Sequence, residues 1–170
     1  CEELYKVLIH ELVHYFGIDF NQSHSHFHKT HTYINDTFNI EGNDIMSESY
    51  TEMLAIILHC VFIEKITKIN ASYLLWIEMS FSLIQISKIL NHYDFKKSCH
   101  ILKKHPNKSN KKICQTTSVL SYFIIKGCLL YNIDKFLQFT DGNPLFTKQV
   151  EQYITIVDNC INNTKFYETL

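Results

Sequence analysis

Only four Gly and two Pro punctuate 170 residues, and between them apolar side chains return every three or four positions. Gly and Pro are the strongest breakers of regular backbone, so a chain this poor in them favours long helices over short strands joined by turns. Leu4, Val7, Leu8, Leu12, Val13 and Phe16 mark a first helix from Cys1 to Phe16, and Gly17 supplies its stop. A second helix is expected from Ser47, read as its N-cap, to about Lys68, carrying Met53, Leu54, Ile57, Leu58, Val61 and Phe62. A third spans Tyr73 to about Tyr93, and two more lie near Thr116–Tyr131 and Leu145–Asn162, separated by the turn signal Asp141-Gly142-Asn143-Pro144. Trp76 and the aromatic residues at helical spacing are expected in the core.

Two stretches do not fit that period. Residues 18–44 are polar and hold four close-set His (His24, His26, His28, His31), so they read as a long surface loop with a short strand or hairpin near Thr32–Ile40. The Lys-rich stretch 96–112, with Pro106, reads as a short helix and an exposed loop. The expected fold is therefore mainly α, with five to six helices and little or no sheet.

Length and composition bound the remaining possibilities. With 46% hydrophobic residues, 170 residues form one helical domain, in which 1–68 and 69–170 are two successive helical parts. The sequence enters at Cys1 already in helical period and without a signal-peptide pattern, as the C-terminal part of a longer chain would. Sixteen basic residues, all Lys, stand against seventeen acidic ones, so bulk charge offers nothing to hold nucleic acid. The apolar runs Tyr73–Leu90 and Val119–Tyr131 are broken by Glu78 and Lys126, and no membrane span is expected. Six scattered Cys read as reduced thiols, which favours an intracellular, cytoplasmic setting.

The chemistry is carried by His10-Glu11-Leu12-Val13-His14. Two His at i and i+4 stand one turn apart on one face of a helix, so both imidazoles can reach one metal ion. The Glu between them can hold a water against that ion. A third protein ligand is needed, and the start of the second helix supplies Glu48 and Glu52, again at i and i+4. One carboxylate can ligate while the other accepts the free ring N–H of a liganded His. His59, further along the same stripe, reads as a hydrogen-bonded core residue.

At these residues the chain resembles the gluzincin branch of zinc metallopeptidases, in which HExxH is followed by a Glu on a downstream helix. The resemblance covers about residues 3–58. It implies one catalytic Zn2+, with His10, His14 and Glu48 as ligands, Glu11 as general base and Glu52 orienting a liganded His. Ligation by Glu52, with Glu48 outside, is the other register the motif allows. The substrate implied is a peptide or protein: Glu11 takes a proton from a zinc-activated water as it attacks the carbonyl, and passes it to the leaving amine. The metzincin pattern is not reproduced, since after Gly17 the next His is His24. Stabilising the oxyanion calls for one more donor, and Tyr33, His31, His100 and Tyr122 are equal candidates. Without Arg there is no guanidinium to clamp a terminal carboxylate, which disfavours a carboxypeptidase. Two alternatives stand beside the peptidase: a catalytically inactive, zincin-derived helical interaction protein, and a zinc hydrolase of a non-peptide amide.

Overall fold

The computed structural model describes residues 2–20, 24–105, 111–140 and 150–170. It is mainly α, 74% helical. The helices are α1 (Glu2–Tyr15), α2 (His24–Thr37), α3 (Ser47–Thr67), α4 (Ala71–His92), α5 (Lys126–Tyr131), α6 (Ile133–Thr140), α7 (Val150–Ile161) and α8 (Thr164–Thr169). A 3-10 turn, Ser98–Ile101, and a π-helical turn, Leu120–Ile125, complete the helical segments. The sheet is minimal: β1 (Ile40–Glu41) pairs in parallel with β2 (Ile113–Cys114). One cluster of buried apolar side chains includes Val13 of α1, Ile34 of α2, Tyr50 and Met53 of α3, Ile86 of α4, Leu129 of α5 and Tyr153 of α7.

The helix ends follow local chemistry. Gly17, at φ 61°, closes α1: Gly17 N–H donates to His14 O and Ile18 N–H to Val13 O. This is the Schellman stop that a left-handed glycine permits. Asn70 caps α4 by accepting from the N–H groups of Ser72 and Tyr73. Ser47, expected to cap α3, is instead its first helical residue, and its buried hydroxyl has no hydrogen-bond partner among the described residues. The chain has already turned before it, with Glu48 N–H bonded to Ile45 O and Ser49 N–H to Met46 O.

Other expectations are corrected by packing. The stretch read as a long loop contains α2, because Thr30, Ile34 and Phe38 form a one-sided buried stripe against the core. Contacts from far along the chain hold α2 in place: Tyr33 donates to Asp158, and Lys29 pairs with Glu151. The helix expected at Thr116–Tyr131 begins as a π-turn, and α6 and α8 are additional short helices. The 141–144 turn, the start of the helix expected at Leu145, Pro106, Cys1 and the side chain of His24 lie outside the described residues.

Exposure brings a larger correction. α1 buries only one face, leaving Leu4 at 68% and Tyr15 at 81% exposed. Trp76, expected in the core, is 57% exposed and stacks on Tyr73. α4 is, by length and composition alone, apolar enough to cross a membrane, although Glu78 interrupts it. Its residues Ser82, Ile86 and Leu90 are buried in the bundle. Among the described cysteines all five are free thiols, with Cys60, Cys128 and Cys160 buried.

Candidate metal centre

α1 and α3 pack antiparallel through a ladder of polar side chains. Lys6, His10 and His14 rise along α1 at four-residue intervals, and they meet Glu52 and then Glu48 on α3. The helical repeat puts each set on one face. The partners across the ladder are then set by how the two helices lie together.

Three atoms converge. His10 Nε2 and His14 Nε2 are 3.1 Å apart, and Glu48 Oε2 is 3.5 Å from each. Tetrahedral zinc with bonds of about 2.0–2.1 Å separates its ligand atoms by about 3.3–3.4 Å, so the triangle is close to one face of that tetrahedron. The point in its plane equidistant from all three atoms lies about 2.0 Å from each, so an ion at a normal bond length fits slightly above the plane. Among the described residues this is the group of His, Cys, Asp and Glu close enough to hold a metal. His10 and Glu48 are buried, at 9% and 8% exposure, while His14 is partly open.

The backs of both imidazoles meet carboxylates. His10 Nδ1 lies 2.9 Å from Glu52 Oε1, a close but bent contact rather than an in-line hydrogen bond. His14 Nδ1 lies 2.9 Å from Asp19 Oδ2. With Nδ1–H turned to a carboxylate, each ring presents a lone pair at Nε2, the tautomer a metal takes. Two such lone pairs facing each other beside a carboxylate repel unless a cation or a proton lies among them. The electrostatics agree: the adjacent carboxylates of Glu48 and Glu52 outweigh burial and raise His10 to about 9. Burial pushes Glu52 upward, but His10, Lys6 and Lys126 prevail and hold it at about 2. Burial also opposes ionisation of Glu48, yet His10, Tyr122 and His14 leave its pKa lowered.

The structure brings together His10, His14, Glu48 and Glu52, and leaves Glu11 exposed on the neighbouring face of α1. Of the four candidate donors, Tyr122 is at the site, donating its hydroxyl to Glu48 Oε2 at 2.7 Å with its ring stacked near His10. Burial first, then the Glu48 hydrogen bond and the charges of Glu48, Glu52 and Glu11, raise its pKa, so the phenol keeps its proton. Tyr33 is bonded to Asp158, His31 to Asn35, and His100 lies in the 3-10 turn, so none of these three has a bond to the centre. His59 is half-buried on α3 and takes no part.

Asp19 is the site residue that motif reading missed. The signal was local: the Gly17 stop folds the chain back over the last turn of α1, bringing a side chain two residues on against His14. Tyr122 was only one of four equals, because nothing near it in sequence refers to α1 or α3. Compared with known proteins, the chain matches no family model, no curated protein and no solved structure.

Proposed function

We propose that this chain carries the metal centre and catalytic base of a zinc-dependent metallopeptidase of gluzincin type. The observation that carries the reading is the His10–His14–Glu48 triangle, sized for tetrahedral zinc and backed on both imidazoles by carboxylates. Zinc held there would acidify a water and polarise a carbonyl. Glu11, exposed beside the triangle, accepts a proton from water as the water oxygen attacks the scissile carbonyl carbon. It returns that proton to the leaving amine, so water and peptide become acid and amine with atoms balanced. Tyr122, protonated and adjacent, would exchange its hydrogen bond to Glu48 for one to the oxygen that gains charge. Glu52 and Asp19 keep the imidazoles turned toward the ion.

The test is Glu11→Gln. The variant is expected to bind zinc in the wild-type ratio, read by metal analysis, and to lose hydrolysis of a fluorogenic peptide library by at least about 10². Undiminished hydrolysis by purified variant protein would refute the base assignment.

A second reading, a zincin-derived interaction protein without catalysis, draws support from the apolar surface of three helices. Leu4, Tyr5 and Leu8 on α1, Phe62 and Ile66 on α3, and Trp76 and Phe81 on α4 are all exposed, more than isolated surface apolar residues explain. Wild-type protein that holds zinc yet cleaves no peptide would favour this reading.

A further inference from the structure

The π-helical turn Leu120–Ile125 carries Tyr122, and its first N–H groups have no partner inside the helix, as at any helix start. Two side chains from outside the turn satisfy them. Leu120 N–H donates to Gln115 Oε1 at 3.0 Å, and Ser121 N–H donates to Asp44 Oδ1 at 3.2 Å. Asp44 Oδ2 also accepts from the Ser121 hydroxyl, and Oδ1 from Gln115 Nε2.

Asp44 is 2% exposed and Ser121 is fully buried. Burial raises the pKa of this carboxyl group, and three hydrogen bonds, from Ser121 N–H, Ser121 Oγ and Gln115 Nε2, oppose that rise. The surrounding chain is tied down as well. Gln115 Nε2 donates to Asn43 O, and Ile45 N–H donates to Ser118 Oγ. Gly42, at φ 103°, passes so close to Gln115 that a Cβ would meet its carbonyl oxygen at 2.1 Å.

Asp44, in the segment leading into α3, and Glu48, in the first turn of α3, grip successive residues of the π-turn. Asp44 holds Ser121, and Glu48 accepts from Tyr122. A π-turn carries more residues per turn than an α-turn, so its relaxation to α would rotate Tyr122 away from Glu48.

We infer that Asp44 is a positioning residue: with Gln115 it pins the π-turn through Ser121, and so aims the Tyr122 hydroxyl at the metal centre. Its catalytic meaning rests on the metallopeptidase reading; its structural meaning does not.

The experiment uses protein carrying 13C at tyrosine Cζ, with the Tyr122 signal assigned by its loss in Tyr122→Phe. In Asp44→Ala the Tyr122 signal is expected to move toward the free-phenol position, while those of Tyr50 and Tyr153 in the core stay in place. Asp44→Asn is expected to restore it, since the amide oxygen still accepts from Ser121 N–H and the amide nitrogen can donate to Ser121 Oγ. Should Asp44→Ala not fold, Ser121→Ala is read in its place and must shift Tyr122 in the same direction. A Tyr122 signal unmoved in the folded variant overturns the inference.

In peptide hydrolysis, Asp44→Ala is expected to lower kcat by the factor that Tyr122→Phe does, about 10², with KM unchanged. The double variant should be no slower than Tyr122→Phe. Additive losses overturn the inference. Wild-type protein that cleaves nothing would refute the metallopeptidase reading alone, and the tyrosine signal would still decide the role of Asp44.

Discussion

Zinc affinity should depend steeply on pH, because the metal competes with a proton. Glu48 and Glu52 raise His10 from its ordinary 6.5 to about 9 in the metal-free protein. At pH 7 about one molecule in a hundred then has His10 free of its proton, and displacing that proton costs on the order of 3 kcal/mol, two units at about 1.4 kcal/mol each. Apparent affinity is expected to rise about tenfold per pH unit from 7 to 9 and then to flatten. The assay is competition against a chromophoric chelator at fixed ionic strength, corrected for the chelator's own titration. An affinity flat between pH 7 and 8.5 would refute the reasoning, because ligands with ordinary pKa values behave that way.

The same shifts fix the sign of stability without metal. The folded pKa of His10 lies above its unfolded value, so its contribution is complete below pH 6.5 and is lost as pH rises through 9. Glu52, held at about 2, contributes above pH 4.5 and loses that contribution as pH falls toward 2. These two groups therefore place greatest metal-free stability between about pH 4.5 and 6.5. Tm should fall from pH 6.5 to 9.5, and saturating zinc should remove that fall by replacing the proton.

Two further outcomes are expected. Asp19→Ala, which frees His14 Nδ1, should weaken zinc binding by about 10- to 100-fold in the same chelator competition, with helicity by circular dichroism unchanged. Asn70→Ala removes the acceptor for Ser72 and Tyr73 N–H at the start of α4; urea unfolding should show a loss of about 1 kcal/mol with zinc stoichiometry unaffected.

The segments that depart from their periodicity do so for different reasons. α2 carries too few apolar residues for its period to stand out from a polar background, and it exists because it packs against α7 with Thr30 and Ile34, and Phe38 just past its end, buried on one side. The exposure of α1 has another origin. Its apolar residues surround the helix, and periodicity registers hydrophobicity without registering whether a neighbour covers it. Ser47 has the composition of a cap, but the chain has already turned at Ile45 and Met46, and its buried hydroxyl finds no hydrogen-bond partner among the described residues.

What the sequence determines by itself is whatever a single helix can express. The 3.6-residue repeat places His10 beside His14 and Glu48 beside Glu52, and the left-handed Gly17 ends α1 where it does. Which carboxylate faces which imidazole depends on the rotation and offset of α3 against α1, and no spacing within either helix encodes that. Only the tertiary structure sets Glu48 toward both Nε2 atoms and Glu52 against Nδ1 of His10. Tyr122 is the limiting case. It comes from a turn more than seventy residues beyond Glu48, held there by Asp44 and Gln115, because hydrogen bonds between distant segments close only when the core beneath them has packed.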